Sequence, residues 1–275
     1  MKDKIVFITG ATSGIGKETA RGLAQLGSTI VFTTRDELKG EETKDELINS
    51  TDNNKIEVLN CDLASFESIR NCCNKFREKH DKLHVLINNA GIWDFKKKLS
   101  KDGIENIFAT NYLAPFLMTN LFQDILKKSS PSRIINVTSG MHYGTINFDD
   151  IEFNNNFSGG KAYRQSKLGM ILFTRLLAKK LEGANVTVNC AHPGMNKTNL
   201  GRDAGVFSRG IFKILGKDPK KGAETTIYLA SSPKVKNITG EYFSKKKIHK
   251  SSIESYDLDL AEKLWDLSVN YVKLY

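Results

Sequence analysis

Tyr163 and Lys167 stand four residues apart in a stretch of helical periodicity, so their side chains share one face. A phenol has an ordinary pKa of ~10. Proton donation and acceptance near neutral pH ask for a fall of ~3 units, or ~4 kcal/mol. An ammonium ~5 Å away in an effective dielectric near ~20 contributes roughly 3 kcal/mol of that. The pair could run acid–base chemistry at a carbonyl or alcohol oxygen, and no metal is required. Of the eight tyrosines, Tyr242 also has a lysine four residues later, Lys246, but that pair falls in a strand-to-loop region where the geometry fails.

A second group of residues sits at the start of the chain. An apolar run leads into Thr9-Gly10-Ala11-Thr12-Ser13-Gly14-Ile15-Gly16, where a helix begins. A diphosphate needs closely approaching backbone N–H groups and the positive end of a helix dipole, and a glycine turn at that place supplies both. The spacing is G-x-x-x-G-x-G; Thr19 falls where the third glycine of the commoner G-x-G-x-x-G pattern would be. About twenty residues on, Thr34 is followed by Arg35, and an arginine there accommodates a 2′-phosphate. The expected cofactor is therefore NADP rather than NAD, with the neighbouring Asp36 as the competing residue. A nicotinamide cation beside Tyr163 would complete the shift the phenol needs.

The elements that must position these groups follow from hydrophobic periodicity. Runs that are apolar throughout, at 4–9, 29–34, 55–60, 83–87, 133–138 and 186–190, alternate with helical stretches at 14–26, 39–49, 65–79, 103–127 and 160–182. Such strands, joined by helices, predict a mainly parallel sheet with helices on both faces, a single doubly wound α/β Rossmann domain over 1–275. A short strand near 241–243 makes seven, with helices near 223–230 and from 258. Residues 198–222 are Gly-rich with apolar punctuation at Val206, Phe207, Ile211, Phe212, Ile214 and Leu215, which suits a substrate lid. Residues 244–275 are expected to pack on the domain.

Composition is that of an ordinary soluble globular chain, 40% hydrophobic and 26% charged over 275 residues. The net charge of +10 sits largely in short lysine runs, which read as solvated loops and helix ends rather than a nucleic-acid footprint. The four cysteines form no C-x-x-C pair and the five histidines no ligand spacing, so neither a disulfide framework nor a metal site is expected. The first residues carry too short an apolar run for a signal peptide, and no run approaches the ~18 apolar residues of a membrane span. A cytoplasmic protein is expected.

Taken together, these motifs resemble the classical short-chain dehydrogenases/reductases along nearly the whole chain. The matches are the Thr9–Gly16 turn, Asp62-Leu63, Asn88-Asn89-Ala90-Gly91, Asn111, Ser139, Tyr163-x-x-x-Lys167, and Pro193-Gly194 with Thr198. Within that family the chain is most similar to the retinol-dehydrogenase-like carbonyl reductases, through Arg35-Asp36 with Lys39-Gly40-Glu41, residues 146–150, His192-Pro193-Gly194 and Gly240-Glu241-Tyr242-Phe243. Animal members often carry a hydrophobic N-terminal anchor; this sequence starts almost directly at its first strand, so membrane residence is not carried over.

The resemblance implies roles. Tyr163 would be the general acid and Ser139, or its neighbour Thr138, would hold the substrate oxygen. Lys167 would lower the tyrosine pKa and bind the nicotinamide ribose, and Asn111 would hold a water in a proton relay. Gly10, Thr12, Ser13, Gly14, Ile15 and Gly16 would cradle the diphosphate. Asp62 and Leu63 would contact the adenine, unless Asp62 serves as a helix-entry residue. Asn89, Ala90 and Gly91 would border the adenosine side, unless the asparagines simply shape a turn. Pro193, Gly194 and Thr198 would meet the nicotinamide end. Trp93, Met141, His142, Tyr143 and Met195 follow these motifs and are candidates for an apolar pocket or for plain packing. The implied activity is hydride transfer between NADP(H) and an apolar aldehyde, ketone or alcohol, with a homodimer or homotetramer common among relatives. The competing readings are a catalytically silent NADP(H) sensor and a sugar-nucleotide epimerase or dehydratase. The latter normally needs a larger C-terminal domain than the 80 or so residues after Pro193.

Overall fold

The computed structural model describes residues 1–194 and 218–274. Six β/α alternations build the sheet. β1 (Ile5–Ile8), β2 (Thr29–Thr34), β3 (Ile56–Asn60), β4 (Val85–Asn88), β5 (Ser132–Val137), β6 (Val186–His192) and β7 (Tyr242–Ser244) all run parallel. The spatial order is β3-β2-β1-β4-β5-β6-β7, so the winding reverses between β1 and β4. Open α/β sheets take their ligands in the crevice at the C-terminal ends of the strands flanking such a reversal.

Strand periodicity divides the core. Val6 and Ile8 of β1 point to one face, where they meet α1 (Gly14–Gln25) through Ala20 and Leu23, α2 (Glu37–Thr51) through Leu47, and α8 (Pro219–Ser231) through Leu229. Phe7 points to the other face, against Phe76 of α3 (Phe66–Lys79) and Phe122 in edge-to-face contact. That second face is covered by α3, by the helical run after residue 105 and by α7 (Gly159–Lys180). Both faces are buried, which is why the strands read as unbroken apolar runs.

Two expectations need correction. Among the described residues the sheet has eight strands, not seven. Lys245 and Lys246 adopt left-handed φ values of 50° and 63° and turn the chain back, adding the two-residue antiparallel β8 (Lys247–Ile248). A two-residue strand is too short to leave a periodic signal. The helix expected at 103–127 is not continuous. It comprises α4 (Asn106–Phe108), a π-helical segment (Ala109–Leu113), α5 (Ala114–Leu121) and α6 (Gln123–Lys128). Glu105 starts it, accepting from Ile107 N and Phe108 N, and Pro115 lacks the N–H that would reach the residue 111 carbonyl.

The end of the chain packs on the domain. α9 (Leu258–Val272) buries Ala261, Leu264, Ser268 and Val272. Its Trp265 meets Phe116 edge-on at 4.9 Å, and Ser268 Oγ lies 3.0 Å from the Tyr112 hydroxyl. Of the proposed lid, 198–217 lies outside the described residues, and 219–222 form the first turn of α8. Among the described residues no helix is long and apolar enough to cross a membrane.

Candidate active site

The β1–α1 turn is tied to the end of β4. Thr9 Oγ1 accepts from Asn89 N at 3.0 Å and Ala90 N at 3.1 Å, while Asn89 Nδ2 donates to Thr9 O at 2.8 Å and Gly10 O at 3.0 Å. Asn89 thus spends both amide hydrogens holding the turn, the second of the two roles open to it. Gly10, at φ +69°, packs so closely that a Cβ would stand 2.9 Å from Ala90 Cα. Gly14 differs: at φ +57° it has nothing within 4 Å of that position among the described residues. Ser13 is the N-cap of α1 but its side chain makes no capping bond, so the N–H groups of the first turn stay available beside an open glycine. The arrangement fits a diphosphate. Ile15 itself is buried.

At the outer edge of the crevice Arg35 is exposed at the end of β2. Asp36 is the N-cap of α2, its carboxylate accepting from Lys39 N at 3.1 Å. Asp62 meets Lys101 Nζ at 3.0 Å and accepts from Ala64 N. Burial opposes its charge, yet Lys101, Ala64 N–H and Arg35 hold the carboxyl below its ordinary pKa. Leu63, expected on the cofactor side, is half-buried and packs against the main core cluster. Lys101 gave no sequence signal; its pairing with Asp62 spans 39 positions.

Four side chains converge at the C-terminal ends of β4 and β5. Asn111 sits in the π-helical segment, and Ile92 N donates to its Oδ1 at 2.8 Å while its Nδ2 donates to Ile92 O at 3.0 Å. Single π turns gather at functional positions, and this one aims Asn111 at the loop after β4. A Cβ at Gly91 would stand 3.4 Å from Lys167 Nζ and 3.5 Å from Asn111 Oδ1, so glycine keeps that space clear. Lys167 projects from α7, 3% exposed, with Nζ 5.5 Å from the Tyr163 ring centroid and 3.2 Å from its acceptor Val137 O. Among the described residues that is its one hydrogen bond, leaving protons for the hydroxyls of a ligand.

Tyr163 is 5% exposed and packs on Trp93, the rings 4.7 Å apart. Ser139 follows β5, its Oγ accepting from Met141 N at 3.1 Å. Thr138, the alternative, is buried with its hydroxyl turned to Ala191 O at 3.5 Å. Ser139 is the one that reaches the phenol. Burial pushes Tyr163 up to about 12, against a downward pull from the Ser139 side chain. Burial likewise lowers Lys167 to about 8. In the protein alone, desolvation outweighs the pull of the Ser139 side chain, and Tyr163 holds its proton across the physiological range. That suits a proton donor. Met141 and Tyr143 are exposed on the rim; Pro193 and Gly194 follow β6 directly; Thr198 and Met195 lie outside the described residues.

A cation whose folded pKa lies below its unfolded 10.5 binds its proton less tightly when folded, so stability rises with pH between about 8 and 10.5. Below that window the buried charge costs on the order of 3 kcal/mol. Lys167→Met should therefore melt higher than the parent at pH 7 while losing turnover. A calorimetric scan showing a lower Tm would contradict the burial penalty.

A reversal-point crevice with an uncapped helix N-terminus, facing a buried tyrosine and lysine and a half-buried serine, defines a dinucleotide-dependent oxidoreductase. The chain belongs to the short-chain dehydrogenase family, whose sequence pattern matches residues 4–206, and whose members bind NAD(P). It is 41% identical over 286 residues to retinol dehydrogenase 14 of Mus musculus, covering 98% of this chain and 85% of that one. Polyprenol dehydrogenase of Homo sapiens is 39% identical over 277 residues, covering 97% and 84%. A crystal structure of an uncharacterised protein from Mycobacterium paratuberculosis superimposes with a TM-score of 0.81 at 32% identity, covering 99% of this chain and 94% of that one.

Proposed function

We propose that this enzyme reduces an apolar aldehyde or ketone with NADPH, with Tyr163 as the proton donor. The observation that carries the reading is the buried phenol held between the Ser139 side chain, the Lys167 ammonium and the Trp93 ring. When bound, the dinucleotide supplies a hydride to the carbonyl carbon. The chain's residues do the rest. The first turn of α1 would hold the diphosphate, and Lys167 the nicotinamide ribose. The Ser139 hydroxyl would donate to the carbonyl oxygen, and Tyr163 would pass that oxygen its proton, completing the alcohol. Asn111, fixed by both backbone groups of Ile92, holds the loop that borders Lys167. The exposed Met141, Tyr143 and Phe95 beside Trp93 favour an apolar substrate, as do the names of the retinol and polyprenol relatives.

Preference for NADPH rests on Arg35 beside Asp62, and on Asp36 being occupied as a helix cap rather than turned to a ribose. Arg35→Ala should weaken NADPH binding by about tenfold or more, the worth of one charge-assisted phosphate contact, and leave NADH nearly unchanged. Equal losses for both would remove the 2′-phosphate assignment. The function itself is tested by following NADPH absorbance with purified protein against graded aldehydes and ketones. Binding of NADPH with no oxidation across that series would turn the reading into a sensor.

A further inference from the structure

The loop that carries Ser139 is held from behind by a buried histidine. His142 is 2% exposed and lies three residues after Ser139. Its Nδ1 is 2.8 Å from Ser139 O, and its Nε2 is 3.1 Å from Ser252 N, a contact spanning 110 positions. Ser252 Oγ also donates to His142 O at 3.4 Å, and the Tyr242 hydroxyl gives Ser139 O a second donor at 3.2 Å. Both ring partners are backbone atoms of fixed polarity. A carbonyl accepts and an N–H donates, so one tautomer satisfies both: hydrogen on Nδ1, lone pair on Nε2.

The surroundings keep that ring neutral. Burial lowers the His142 pKa, with the Ser139 carbonyl and Glu254 pulling the other way. Tyr143 stacks on it at 4.6 Å and Tyr242 lies at 5.0 Å. His192, lowered to about 4 by burial and by the His142 and His249 charges, is the nearby ring that would repel a cation.

We propose that His142 is a positioning residue: as the Nδ1-protonated tautomer it fixes the Ser139 backbone and, through Ser252, makes the C-terminal segment part of the catalytic geometry. This rests on the reading of Ser139 as the holder of the substrate oxygen. Without the ring, Ser139 O loses a donor and Ser252 N loses its acceptor, and the 139–143 loop can turn about Gly140. A displacement of ~1 Å at such a group costs on the order of 10²-fold in rate.

The test compares His142→Leu with His142→Asn, whose amide nitrogen can stand where Nδ1 stands. The leucine variant should lose on the order of 10²-fold in kcat, with KM and the NADPH Kd changed by no more than about threefold; the asparagine variant should recover to within about tenfold of the parent. Nitrogen-15 spectra of the parent protein should show His142 protonated at Nδ1 and bare at Nε2. Unchanged kcat in the leucine variant, equal loss in both, or a proton on Nε2 would each overturn the proposal. Should the leucine variant not fold, Ser252 offers a second route. Its φ of −59° already matches proline, so Ser252→Pro removes the N–H together with the hydroxyl, whereas Ser252→Ala removes the hydroxyl and keeps the N–H. The proline variant should turn over about tenfold more slowly than the alanine variant, and equal rates would refute the coupling. Tyr163→Phe, run beside them, separates the two levels: full activity there defeats the reading of the site, whatever His142 does.

Discussion

Replacing Tyr163 by phenylalanine should leave NADPH affinity intact and slow carbonyl reduction by about 10²- to 10⁴-fold, the contribution of a positioned general acid. The substitution keeps the ring that packs on Trp93 at 4.7 Å and faces the Lys167 ammonium at 5.5 Å, and removes only the hydroxyl. Ser139 Oγ still has Met141 N–H as a partner, so no buried acceptor is orphaned and Tm should stay close to that of the parent. Single-turnover absorbance separates the chemical step from binding. Slow turnover with unchanged NADPH binding assigns the phenol to proton transfer. Undiminished turnover would mean that another group protonates the product oxygen.

Much of this arrangement could be read from the chain because its signals are local. The strands 4–9 to 186–190 declare themselves since both faces of the sheet are buried, and Tyr163 and Lys167 share a face by helical spacing alone. What was not legible depends on residues far apart in sequence. Asn111 finds the backbone of Ile92 across 19 positions, and that contact sits in the π turn that interrupts the helix expected at 103–127. Asp62 meets Lys101, and His142 meets Ser252, through loops that periodicity cannot pair. The pKa argument shows the same limit. A lysine one helical turn from a tyrosine correctly suggests an ammonium near a phenol, but the depth of burial, which lifts Tyr163 to about 12, is a property of the packed core. Asn89 is a milder case, a motif residue whose amide turns out to bind the chain itself.

That last contact bears on the dinucleotide turn, where Gly16→Ala should be the most damaging change at a glycine of the motif. A Cβ there would stand 2.3 Å from Gly10 O and 2.4 Å from Asn89 Nδ2. Neither atom can retreat cheaply. Asn89 Nδ2 is bonded to Thr9 O and Gly10 O, and Gly10 is itself wedged against Ala90. The turn must open, at about 1–3 kcal/mol for an overpacked site, and the first-turn N–H groups of α1 swing away from where a diphosphate would sit. Losing aligned contacts to a doubly charged group should weaken NADPH binding by about tenfold or more. Gly14→Ala is the counterpart, because the added methyl meets open space and only the left-handed φ of +57° resists it, at about 1–2 kcal/mol. Calorimetry and NADPH titration of the two variants side by side distinguish crowding from backbone strain. If Gly16→Ala binds NADPH as tightly as the parent while Gly14→Ala does not, the phosphates are held by the open edge of the turn and not by its packing against β4.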